Sequence, residues 1–233
     1  MDRYTFDPDG DVLLTLEATE TSGNIDASGL GHIDKKCRKR KRDSETGEAG
    51  EAVPSCRTGP SYEMLVSSRH LALSSTVFKA MLQPHFAEGA ALQKIGTSGH
   101  VTIPLGDDDP YAMAVIMTII HNQPKKVPSI SLQQLTHIAV TVDKYDLKDA
   151  VDYFAQIWVE DLEKLSFPMS MDCSSPCTRV LPWLCISWVF KMSSLFKQTT
   201  EIAIHHSEGT ILEKLGEGYP EYLPIPPNVF GIV

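Results

Sequence analysis

The sequence predicts an α+β domain interrupted by one long insertion. Three observations carry that expectation. Short apolar runs bounded by turn residues occur at 11–16 (DVLLTL), 62–66 (YEMLV) and 101–105 (VTIPL), and each has the length and setting of a strand. Helical apolar spacing dominates from 109 to 165. Between the first two strands, residues 17–60 hold many Gly, Ser, Thr, Glu and Lys and few large apolar side chains. Such a stretch buries too little surface to offset its ordering entropy, so disorder is expected there.

Each element has a local reason. The first strand follows an Asp-Pro-Asp-Gly turn at 7–10. After the second strand, Ser67, Ser68, Ser74 and Ser75 are helix-start candidates. Leu73, Val77, Phe78, Met81 and Leu82 then fall on one face of a single helix that Pro84 ends. The third strand closes at Gly106-Asp107-Asp108-Asp109, and Asp109 caps a helix that begins with Pro110. That helix, Tyr111 to His121, is apolar on most sides, which predicts a central, buried position. Ser131 caps the next, whose apolar face is Leu132, Leu135, Ile138, Ala139 and Val142. Tyr145-Asp146 marks a corner with Asp146 as a cap. The following helix carries Leu147, Val151, Phe154, Ile157, Trp158, Leu162 and Leu165 on one stripe. The expected order is strand, insertion, strand, helix, strand, helix, helix, helix.

Residues 166–181 form a Ser- and Pro-containing linker. Residues 182–233 are expected to be a helical C-terminal extension packed on the domain. Trp183 to Ile204 reads as one or two helices, and Leu223-Pro224-Ile225-Pro226-Pro227 is too rich in proline to continue them.

Composition narrows the function. The 233 residues are 42% hydrophobic and 22% charged, ordinary for a chain with a real core. A formal charge of −9 disfavours whole-surface attraction to nucleic acid. Five cysteines (Cys37, Cys56, Cys173, Cys177, Cys185) are too sparse for a secreted disulfide framework. The start, MDRYTFDPDGD, has no apolar leader, and the longest apolar run, Val180 to Phe190, contains Pro182 and is too short for a span. A soluble protein of a reducing intracellular compartment, nuclear or cytoplasmic, is the expectation.

Four segments, taken together, resemble the BTB/POZ domain in the version common in fungal proteins. They are DVLLTL at 11–16, YEMLVSSRHLALSSTVFKAML at 62–82, VTIPLGDDDPYAMAVIMTIIHNQ at 101–123 and LTHIAVTVDKYDLKDAV at 135–151. Each motif is loose, whereas their order and spacing are specific. The resemblance implies a small β-sheet flanked by helical hairpins over residues 1–165, with 17–60 inserted. It also implies work by docking other proteins, as an adaptor or regulatory scaffold, with no catalytic residues and no cofactor. WLCISWVF at 183–190 resembles the helical extension of such proteins. Many members begin with a helix that is exchanged in dimers. Only about ten residues precede the first strand here, which argues against a swapped homodimer. The insertion splits a hairpin that is tight in the family, at a closure cost of about 1–2 kcal/mol.

Two features carry candidate contacts. The first is the run Lys35, Lys36, Arg38, Lys39, Arg40, Lys41 and Arg42, broken only by Cys37. An extended basic stretch suits an importin groove or a nucleic-acid backbone. Eight acids and eight bases leave 17–60 formally neutral, so a plain solvated spacer is the competing reading. The second is Phe86 with Glu88, similar to the hydrophobic-x-Glu element by which some BTB adaptors contact a cullin scaffold. An exposed Phe beside an acid suits an apolar pocket with a basic rim. The plainer alternative has Phe86 covering the end of a helix and Glu88 solvated. A cullin or transcription-associated factors are the partners implied.

The remaining candidates read as structural. Cys173 and Cys177 with His205 and His206 fit no zinc spacing, and adjacent helical histidines diverge by about 100°. Asp107, Asp108 and Asp109 are neighbours in a turn and do not converge on one point. His70, His100, His121 and His137 have no evident Ser or Cys partner, and there is no nucleophile elbow or phosphate-binding loop. Cys185 reads as a small core residue, and Trp183, Trp188 and Phe190 as the packing face of the tail.

Overall fold

The computed structural model describes residues 2–17, 32–33, 61–95, 99–167, 177–206, 220 and 222–226. The chain is α+β. Five strands form one mixed sheet: β1 (Asp2–Thr5), β2 (Val12–Glu17), β3 (His32–Ile33), β4 (Ser61–Val66) and β5 (Val101–Pro104), in the order β3-β1-β4-β2-β5. Eight α-helices accompany it among the described residues. They are α1 (Ser68–Ser74), α2 (Thr76–Met81), α3 (Ala87–Lys94), α4 (Pro110–Ile120), α5 (Leu132–Tyr145), α6 (Lys148–Ser166), α7 (Cys177–Val189) and α8 (Ser193–His206).

The antiparallel pair β2–β4 is the centre of the sheet. Its register runs from Val12 opposite Val66 to Glu17 opposite Ser61. The chain therefore leaves for residues 18–60 and returns at paired positions. A long excursion from such a hairpin tip leaves the ladder below it intact. Strand β5 joins β2 in parallel, and its side chains alternate between buried Val101 and Ile103 and exposed Thr102 and Pro104. That alternation is the period of a strand covered on one face.

Two strands lie outside the sequence-based expectation. Residues ahead of β2 form β1, which pairs in parallel with β4 from Asp2–Tyr62 to Thr5–Leu65 and buries Tyr4. Within the stretch expected to be wholly disordered, His32 and Ile33 pair with Thr5 and Tyr4 as β3. Both pairings join segments distant in sequence, so no local pattern announces them. The rest of 18–60 lies outside the described residues.

Helix α4 is the hub. All of its eleven residues except Ile119 are buried. Asp109 caps it, its Oδ1 accepting from the Ala112 amide at 2.7 Å, with Pro110 in the first turn. Helix α5 starts at Ser131 in a full capping box. The Ser131 Oγ accepts from the Gln134 amide, and the Gln134 side chain accepts from the Ser131 amide. Leu135, Ile138, Ala139 and Val142 turn inward from α5, which packs on α4, α6 and α7. Asp146 ends α5 in the left-handed conformation, φ 50°, and so acts as a C-cap instead of capping α6.

Three helical expectations are corrected. The single helix over 73–82 is two, because Ser75 is extended, φ −140° and ψ 126°. The Ser75 hydroxyl accepts from the Phe78 amide at 2.9 Å and donates to the Tyr145 carbonyl. The break turns Leu73 away from the predicted face, leaving it 85% exposed. Second, the inward stripe of α6 is Leu147, Val151, Ala155, Trp158, Val159 and Leu162, whereas Ile157 and Leu165 face outward. Third, α7 begins at Cys177, inside the expected linker, and continues through Pro182. It packs on α5 and α8, with Trp183 fully buried and the Phe167 ring 5.5 Å from it. Residues 222–226 are not helical and bury Leu223 and Ile225. Among the described residues no helix is long and apolar enough to cross a membrane.

Candidate partner-docking surface

Phe86 and Glu88 sit where α2 turns into α3, a helix that the sequence pattern did not announce. Its small residues, Ala87, Gly89, Ala90 and Ala91, give no apolar stripe to read. Gly89 permits the corner. A Cβ at Gly89 would lie 2.1 Å from the Gln83 carbonyl oxygen, well inside van der Waals contact. The Phe86 amide donates to that same oxygen at 3.0 Å. Phe86 is the N-cap of α3 and Glu88 the acid of its first turn, a favourable place for negative charge near a helix N-terminus. The Phe86 side chain is 46% exposed, with the His85 ring 4.5 Å away, and Glu88 is half-buried. Phe86 thus presents nearly half of its surface to solvent, and Glu88 is not fully solvated.

The basic run from Lys35 to Arg42 lies outside the described residues, as does Cys173. Cys177 opens α7 and His205 and His206 close α8, with their side chains outside the described set. No cluster suited to a metal ion occurs among the described residues.

The three aspartates diverge. Asp107 is exposed, while Asp108 is buried and receives the Tyr145 hydroxyl at 2.7 Å and the Lys144 ammonium at 2.8 Å. Burial, reinforced by the Asp108 carboxylate, pushes the Tyr145 hydroxyl far above the ordinary phenol range. Asp109 caps α4 through Oδ1, and its Oδ2 lies 3.9 Å from His137 Nδ1. This arrangement holds the start of α4 against α5 and offers no shared point for acid–base or metal chemistry. From the sequence Asp108 reads only as one of three neighbouring turn carboxylates, because its partners lie 36 and 37 residues further on.

The histidines are less scattered than the sequence suggests. His70 lies edge-on to His121, ring centroids 4.8 Å apart. His100 lines a groove of about 720 Å³ whose walls include Asp9, Leu65, Arg69, Leu92 and Ile95. In the tail, Trp183 and Phe190 are buried as expected of a packing face, but Trp188 is 41% exposed beside Phe196. Cys185 is buried, and burial pushes its thiol well above the ordinary range, the state of an inert core cysteine.

No protein-family model matches the chain, and no curated protein matches it in sequence.

Proposed function

We propose that the chain is a non-catalytic protein–protein interaction module of the BTB/POZ type, an adaptor or regulatory scaffold. One observation carries the reading. The four segments that bear the resemblance fold against one another: β2 pairs with β4 and β5, and α4 and α5 pack in the same core with α1, α2 and α6. Their order in the sequence is thus matched by contact in space, as a single domain of that type requires. Three helix pairs, α1–α2, α4–α5 and α7–α8, each pack together, and α3 and α4 contact the sheet.

A more specific version makes the module a cullin-linked ubiquitin ligase adaptor. Its support is the exposed Phe86 ring beside Glu88 on the corner that Gly89 tightens. Aromatic anchors presented on rigid elements are the usual hot spots of such interfaces. Nuclear residence through Lys35 to Arg42 belongs to the same proposal, and binding of nucleic acid through that run is its rival.

The test is affinity purification of the full chain with mass spectrometry, beside the Phe86→Ala plus Glu88→Ala variant. The adaptor reading expects a cullin scaffold with the wild type and its loss in a folded variant. Retention of the same scaffold by the variant would refute the Phe86/Glu88 assignment. A profile dominated by salt-sensitive nucleic acid, lost when Lys35 to Arg42 are neutralised, would favour the rival.

A further inference from the structure

His121 follows α4 as its C-cap and is only 8% exposed. Its Nδ1 lies 2.9 Å from the Met117 carbonyl oxygen, which can only accept. Its Nε2 lies 3.0 Å from the Ser67 backbone nitrogen, which can only donate. These partners select one species, the neutral imidazole with its hydrogen on Nδ1 and a bare Nε2. Ser67 is the N-cap of α1 and makes no side-chain capping bond. The next residue is held separately: the Ser68 amide and hydroxyl both donate to the Asp11 carboxylate at 2.7 Å. The β4–α1 junction therefore hangs on two side chains from other elements, His121 and Asp11.

We propose that His121 is an acid-sensitive latch on the β4–α1 junction, closed while Nε2 accepts the Ser67 amide and opened when Nε2 takes a proton. A proton on Nε2 sets donor against donor, so the bond to Ser67 is lost. The imidazolium then faces the exposed His70 ring, 4.8 Å away between centroids. The charged and titratable groups around it pull in opposite directions. His70 on α1 opposes the proton, Asp7 in the β1–β2 turn favours it, and Asp11 is engaged by Ser68. Burial is the largest influence and holds the His121 pKa below its ordinary value. With the folded pKa below the unfolded one, the stabilisation is complete above the unfolded pKa of about 6.5. It is lost as pH falls through the folded value. The released segment lies between Leu65 and Arg69, both on the wall of the groove beside it, so the latch also sets that wall.

The test uses the full chain and nuclear magnetic resonance, following the His121 ring nitrogens and the Ser67 amide between about pH 8 and 5. The expected result is the Nδ1–H tautomer at neutral pH. On acidification, Ser67 protection, corrected for intrinsic exchange, should fall by about tenfold or more. His121→Gln, which keeps an acceptor that does not titrate, should abolish that fall. His70→Ala should move its midpoint to higher pH, and this variant serves if His121→Gln does not fold. Equal Ser67 protection across the range, or a fall that persists in His121→Gln, would overturn the proposal. So would a midpoint indifferent to His70→Ala.

Discussion

The Asp108 carboxylate receives the Tyr145 hydroxyl at 2.7 Å, in a buried site that joins the turn before α4 to the end of α5. Lys144 completes the ion pair on the other oxygen. On its opposite side, the Tyr145 ring stacks on Phe78 of α2, centroids 4.5 Å apart and planes within 2°. One residue thus links three elements of the helical layer.

Replacing Asp108 should reveal that linkage. Asp108→Ala leaves a buried hydroxyl and an ammonium without their acceptor, and a loss of about 2–4 kcal/mol is expected. Asp108→Asn keeps one acceptor and should cost less. Urea unfolding of the two variants measures the order, and equal stability of Asp108→Ala and wild type would contradict it.

Gly89→Ala should strain the α2–α3 corner. The added Cβ meets backbone, the Gln83 carbonyl, which has no flexible end to move aside. A loss of about 1–3 kcal/mol is expected from overpacking of this kind. Ala90→Gly, one residue on in the same helix, should cost about 1 kcal/mol through propensity alone. Thermal unfolding of the pair separates the two causes.

Phe86→Ala with Glu88→Ala should leave the fold nearly unchanged. Phe86 is half-exposed, and surface substitutions of this kind usually shift stability by about 0.5 kcal/mol or less. Circular dichroism and the unfolding midpoint should therefore match wild type while the docking partner is lost. A midpoint drop of many degrees would instead make Phe86 a structural residue.

Residues 30–45 fused to a fluorescent reporter should carry it into the nucleus. Neutralising Lys35 to Arg42 in the fusion should return it to the cytoplasm. Cytoplasmic retention of the unaltered fusion would remove nuclear import from the reading.

The candidate surface was half legible. Phe86 and Glu88 stood out in the sequence only through their resemblance to a hydrophobic-x-Glu element. That they begin a helix was not legible, because Gly89 and three alanines carry no periodic signal. Its exposure depends on the corner geometry that Gly89 allows. The His70–His121 pair was invisible for a related reason, since the two rings approach only after α4 packs beside α1.

What the sequence determined by itself is local: the Asp109-Pro110 start of α4, the Ser131 cap of α5, the buried character of α4 and the strand runs of β2, β4 and β5. Capping bonds span three residues and helical stripes span four, so a reader of the chain meets cause and effect together. Tertiary structure alone decided the rest. It made a strand of Asp2–Thr5 through parallel pairing with β4, and it tied the Ser75 cap of α2 to the Tyr145 carbonyl. It also placed Asp108 and His121 against partners on other elements. Those contacts are made between groups that only packing brings within reach, and no window on the sequence contains both.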